Sequence, residues 1–148
     1  QAVSKVEKHL ADAVSKGGQL LTGGQRHSLG ENFFQPTVIA NAQPEMLLAK
    51  EEIFGPLAPV FKFETTEEVI ELANATEYGF AASFYANNLS LVWHVAEALE
   101  YGMVGINTGV ISTEVAPFGG IKASGLGREG SRHGIDEYLE MKYLCMSV

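Results

Sequence analysis

A chain of 148 residues with 46% hydrophobic and 19% charged residues has the makeup of a folded domain and excludes an intrinsically disordered one. Its net charge of −8, with 10 scattered basic residues, excludes nucleic acid as a partner, because phosphate binding needs clustered Lys and Arg. It contains no apolar run of the roughly 18 residues that a membrane span needs, and its single cysteine, Cys145, rules out an internal disulfide framework and fits a reducing compartment such as the cytoplasm.

The chain opens at Gln1 inside a helical pattern, with no Met and no signal layout, which reads as a truncated or processed end. Val3, Val6, Leu10 and Val14 recur at steps of three and four, so residues 2–16 are expected to form an amphipathic helix that Gly17-Gly18 stops. Gln19–Thr22 is a short apolar run expected to be a strand, Pro36–Ala40 a β-branched one, and Leu57–Phe63 a third, with Pro59 placing it at an edge. Thr65-Thr66-Glu67-Glu68 has the spacing of a capping box and opens a helix through Ala73. Phe80–Tyr85 reads as a strand, Asn88–Glu100 as a helix and Met103–Asn107 as a strand. This alternation predicts an α/β fold with a mostly parallel sheet. Thr108–Gly134 is glycine-rich and predicts an ordered loop region with a short helix, and Tyr138–Cys145 a terminal strand.

Several features imitate a site without the surroundings a site needs. Gly125-Leu126-Gly127-Arg128-Glu129-Gly130 spells G-x-G-x-x-G, but a loop precedes it. An acidic residue about twenty positions on is also required, and the chain ends eighteen residues after Gly130. His9, His27, His94 and His133 show no metal-ligand spacing, and His94, among apolar neighbours, reads as structural. Cys145 has no His placed to activate it and reads as a buried or half-buried inert thiol. Ser112 lacks the Gly-x-Ser-x-Gly context of a hydrolase elbow.

Two segments carry a resemblance: Glu51-Glu52-Ile53-Phe54-Gly55-Pro56, followed by Leu57-Ala58-Pro59-Val60, and Pro117-Phe118-Gly119-Gly120-Ile121-Lys122-Ala123-Ser124-Gly125. In this order they resemble the C-terminal part of an aldehyde dehydrogenase. Ile111–Phe118, Ser124–Gly130 and Gly134–Tyr143 look like one branch of that family, the succinate-semialdehyde dehydrogenases. The likeness runs over essentially the whole chain, with His94 and His133 as mild departures from the Arg and Tyr more usual there.

The resemblance implies that the second glutamate, Glu52, accepts hydrogen bonds from the nicotinamide-ribose hydroxyls of NAD or NADP. A carboxylate suits that task because it is acceptor-only and can hold two adjacent hydroxyls. Phe54 would pack beside the nicotinamide end, Phe118 would wall the aldehyde tunnel, and Ser112 would help hold the distal carboxylate of the substrate, whose burial needs several donors. For the whole enzyme it implies thiolate addition to the aldehyde, hydride departure to nicotinamide, and hydrolysis by a glutamate-activated water. The nucleophilic cysteine and general-base glutamate would lie upstream of Glu51, so no catalytic residue is assigned here, and no metal ligand either. The reading is therefore the C-terminal segment of an NAD(P)-dependent enzyme that oxidises succinate semialdehyde or a similar small acid aldehyde such as glutarate semialdehyde, inactive alone. Its location is expected to be cytoplasmic, or the mitochondrial matrix in a eukaryote. Residues 1–137 would belong to the catalytic domain and 138–148 to a strand that pairs subunits in a homo-oligomer, dimer or tetramer. The rival of another class is a non-catalytic fragment or assembly module.

Overall fold

A computed structural model describes residues 1–30 and 32–148, which divide into two compact units, Gln1–Thr65 and Thr66–Val148. In the first unit, helix α1 (Ala2–Ser15) buries Val6, His9 and Ala13, the stripe its apolar spacing prescribes. It ends where expected. Gly17 takes φ 92°, its N–H donates to the Val14 carbonyl, and the Gly18 N–H donates to that of Ala13 at 2.8 Å. These paired bonds satisfy carbonyls that would otherwise be left open at the helix end.

Strands β1 (Gln19–Thr22), β2 (Thr37–Ala40) and β3 (Leu57–Pro59) form a three-stranded sheet in the order β1-β2-β3. The β1–β2 pair is antiparallel with an irregularity between Leu20 and Thr22, and β2–β3 is parallel, pairing Thr37 with Leu57. The third strand is shorter than its sequence run, and Pro59, which lacks an N–H for the ladder, closes it at the sheet edge. A four-residue helix, α2 (Leu47–Lys50), makes the β2–β3 crossover. Its Leu47 N–H donates to the Asp12 carboxylate at 2.7 Å, a cap supplied by α1. Val6, Ala13, Phe34, Ile39, Ala42, Met46, Leu48 and Leu57 form the core of this unit.

In the second unit, α3 (Thr66–Asn74) begins one residue after Thr65. Strands β4 (Tyr78–Gly79) and β7 (Ile121–Lys122) pair antiparallel, whereas β5 (Ala81–Phe84) and β6 (Met103–Ile106) pair parallel across helix α4 (Leu89–Ala98). The Asn88 side chain caps α4 by accepting from the Leu91 N–H at 2.9 Å. The Asn107 carboxamide ends the β5–β6 pair: it accepts from the Ala86 N–H and donates to the Ala86 carbonyl, both at 2.9 Å. Asn107 itself sits at φ 56°.

The fold is α/β as expected: the two pairs joined by helical crossovers, β2–β3 and β5–β6, are parallel, and β1–β2 and β4–β7 are antiparallel. Four expectations change. The glycine-rich 108–134 stretch contributes β7, and the short helix comes just after it, as a 3-10 turn at Asp136–Tyr138. His94 and Cys145 are exposed, His94 because it lies on the outer face of α4 and Cys145 because nothing described packs on the chain end. Residues 139–148 make no ladder within this chain and are exposed throughout. A strand exists only against a partner, and none of the described strands pairs with them.

Candidate functional site

The segment 51–56 leaves α2 and is fastened to one side of α1. Glu51 follows the helix in extended backbone, φ −102° and ψ 139°. Its half-exposed carboxylate turns toward α1 and accepts from His9 Nε2 at 2.9 Å, with Lys8 Nζ at 3.5 Å. The hydrogen bond from His9, helped by the Lys8 charge, holds the Glu51 carboxyl below the ordinary glutamate value. The Lys5 ammonium donates to the Glu52 carbonyl. At Gly55 the chain passes so close to α1 that a β-carbon would run into Val6. Beyond it, the Thr37 N–H donates to the Pro56 carbonyl at 2.9 Å, tying the segment to the sheet.

What this fastening leaves free is the chemistry. Glu52 is exposed, and among the described residues no side-chain donor meets its carboxylate. Phe54 is 84% exposed and sits at φ 47°. A large aromatic in the left-handed region costs about 1–3 kcal/mol and persists only where its surroundings over-determine it. An acceptor-only carboxylate and an apolar ring face, two residues apart on a pinned segment, fit the ribose and nicotinamide portions of a dinucleotide: one can accept from vicinal hydroxyls, the other can cover a flat ring.

His9 is the residue that sequence reasoning missed. It is fully buried, and its Nδ1 has no partner among the described residues. An unmatched buried polar nitrogen costs roughly 1–3 kcal/mol. The available signal was its place on the apolar stripe of α1, three residues after Val6 and four before Ala13.

In the second unit, Phe118 lies in a two-bond bridge with Glu129: its N–H donates to the Glu129 carbonyl at 2.9 Å and its carbonyl accepts from the Glu129 N–H at 2.7 Å. Its ring meets that of Phe80 edge to face, with centroids 5.4 Å apart and planes at 83°. The two rings line a groove of about 340 Å³ with Leu126, Arg128, Glu137 and Tyr138. Arg128 Nη1 donates to the carbonyls of Gly120 and Gly127 at 2.8 and 2.7 Å, so its guanidinium braces the groove wall. Gly125, Gly127 and Gly130 all take positive φ in this loop, so the G-x-G-x-x-G letters serve turns and open no α-helix. Ser112 does not line the groove. It stands exposed beside Ile111, whose Cγ2 covers Gly105. The predicted residues thus fall in two places, Glu52 with Phe54 in the first unit and Ser112 and Phe118 in the second, with Ser112 outside the groove that Phe118 lines.

Comparison with known proteins follows the same residues. A family model described as the aldehyde dehydrogenase family matches residues 1–144. The glutarate-semialdehyde dehydrogenase of Pseudomonas aeruginosa is 62% identical over 146 residues, covering 99% of this chain and 30% of that protein. Escherichia coli succinate-semialdehyde dehydrogenase [NADP(+)] is 60% identical over 148 residues, covering all of this chain and 31% of the relative. A solved succinate-semialdehyde dehydrogenase from Burkholderia pseudomallei superposes with a TM-score of 0.94 at 63% identity, over 99% of this chain and 30% of that one. The chain therefore spans about 30% of the length of the relatives it matches.

Proposed function

Because the chain belongs to the aldehyde dehydrogenase family, we propose that it is the cofactor-clamp and tunnel-wall segment of an NAD(P)-dependent dehydrogenase acting on a short acid semialdehyde, succinate or glutarate semialdehyde. The observation that carries this reading is the pinned segment 51–56, which presents a Glu52 carboxylate unpaired among the described residues and an exposed Phe54 ring on strained backbone. The bound dinucleotide supplies the hydride acceptor. Glu52 accepts from the ribose hydroxyls and sets the position of the nicotinamide, and Phe54 shields one face of it from water. Holding the reacting groups in place in this way converts binding into rate. Phe118, backed by Phe80, forms an apolar wall for the aldehyde, and Ser112 offers a hydroxyl to its distal carboxylate. Relatives named for succinate and for glutarate semialdehyde are similar to this chain to nearly the same degree, which supports the acid-semialdehyde class over either chain length.

The exposed apolar residues of the last segment, Leu139, Met141, Tyr143, Leu144 and Met146, support a second element of the reading: residues 138–148 pair with a second subunit in a homo-oligomer, dimer or tetramer. A reducing compartment, the cytoplasm or the mitochondrial matrix, suits the exposed thiol of Cys145. The direct test is NAD(P) reduction with succinate and glutarate semialdehyde. A complete enzyme carrying this segment turns over, and the isolated chain does not. Turnover by the isolated chain that a Cys145→Ser change abolishes would show that the nucleophile lies here and would overturn the assignment.

A further inference from the structure

We propose that His9 and Glu51 form a positioning pair for the cofactor clamp: by holding the Glu51 carboxylate against α1, the buried imidazole turns the adjacent Glu52 carboxylate away from that helix. This inference rests on the reading of Glu52 as the ribose acceptor. The geometry is that of an extended chain, in which successive side chains leave opposite sides of the backbone. Glu51 has extended dihedrals. Its carboxylate lies 2.9 Å from His9 Nε2, and the carboxylate of the next residue is exposed. Lys8 Nζ also reaches the Glu51 carboxylate, but at 3.5 Å and from an exposed side chain, while Lys5 holds the Glu52 carbonyl and Val6 limits the approach of Gly55. The short bond that fixes which way residues 51 and 52 face is therefore the one to His9.

The cost of the arrangement points the same way. His9 is fully buried with Nδ1 unmatched among the described residues, whereas an apolar side chain of similar volume would fill that place with no unsatisfied nitrogen. The group is poorly suited to stabilising the helix contact and well suited to orienting a neighbour. Two residues on from Glu52, Phe54 keeps its positive φ only while the segment around it is held.

The test uses a complete enzyme carrying this segment, with dinucleotide dissociation constants and steady-state constants measured for Glu51→Ala, Glu51→Gln and Glu52→Gln, and for the pair Glu51→Ala with Glu52→Gln. Glu51→Ala removes the acceptor that His9 holds and is expected to weaken dinucleotide binding about fivefold or more, while Glu51→Gln, which keeps an acceptor, stays within about twofold. In the Glu52→Gln background the effect of Glu51→Ala shrinks to less than about twofold, because the pair acts only through Glu52. A merely structural role predicts additive losses and a lower melting temperature without that non-additivity, and additive losses overturn the proposal. A silent Glu51→Ala beside a damaging Glu52→Gln also overturns it and leaves the ribose reading intact; a silent Glu52→Gln brings down the ribose reading itself. Should Glu51→Ala not fold, His9→Met removes the anchor at similar volume, and the same binding and non-additivity measurements decide the question.

Discussion

The edge of one aromatic ring rests on the face of the other where Phe80 meets Phe118, 5.4 Å apart and at 83°. Such a pair contributes about 0.5–1.5 kcal/mol beyond buried area, so Phe80 governs how firmly Phe118 stands in the groove wall. In a complete enzyme, Phe80→Leu is expected to raise the aldehyde KM by about two- to tenfold, and Phe118→Leu by more. Steady-state kinetics with succinate semialdehyde checks this. An aldehyde KM unmoved by both changes would remove the two rings from the substrate path.

The adjacent glutamates separate cleanly. Hydrogen bonds to a charged group contribute roughly 1.5–3 kcal/mol, so Glu52→Gln should slow turnover by about ten- to a hundredfold. The melting temperature should hold, because the side chain is exposed and unpaired among the described residues. Glu51→Gln should do much less. If Glu51→Gln proves the damaging change and Glu52→Gln the silent one, the assignment of roles is off by one residue.

Acid stability follows from three carboxylates held below their ordinary values. Glu51 is lowered first by the hydrogen bond from His9, Glu7 by that from Arg26, and Asp12 by that from Lys16 and then by the Leu47 N–H. A carboxylate with a depressed folded pKa stabilises the fold above its unfolded value, and that contribution disappears as pH falls through the folded value. With ordinary values of 4.5 for Glu and 3.8 for Asp, the loss sets in at about pH 5 and continues below those values. Melting temperatures taken from pH 7 downward should hold steady to about pH 5 and then drop. Glu51→Gln should show a shallower drop than the parent, and an identical acid limb would deny the His9–Glu51 bond its stabilising share.

Deleting residues 138–148 from a complete enzyme should break the oligomer while leaving the subunit folded. Those residues make no ladder within the chain and expose Tyr138, Met141, Tyr143, Leu144 and Met146. Sedimentation velocity reads the result directly. An unchanged profile after the deletion would place the subunit contact elsewhere.

How much of this was legible beforehand depends on how local each determinant is. The boundaries of α1, α3 and α4 follow from periodicity and from caps within a turn of the ends, Gly17, Thr65 and Asn88, and the structure places them within two residues of the reading. Strands β5 and β6 are likewise bounded by their own β-branched and aromatic runs. Most of what the structure changed or left open is non-local. Whether Cys145 and His94 are covered depends on what packs over them, and whether 139–148 is a strand depends on a partner edge. At the candidate site the motif named Glu52 and Phe54 by resemblance, but the Glu51 carboxylate meets His9, 42 residues earlier, and no pattern within the motif encodes that contact. The role of His9 was hidden because an apolar stripe absorbs a histidine without disturbing its periodicity.

The reciprocal bonds between Asn107 and Ala86 make the far end of the β5–β6 pair sensitive to chemical ageing. Hydrolysis of that carboxamide, water entering as ammonia leaves, would keep the oxygen that accepts from the Ala86 N–H and replace the donor with a second, negatively charged oxygen facing the Ala86 carbonyl. The side-chain contact that closes the pair would turn from attraction to repulsion without any change in the encoded sequence. Slow deamidation in stored protein would then register as fraying of this strand end, at the entrance to the loop that carries Ser112.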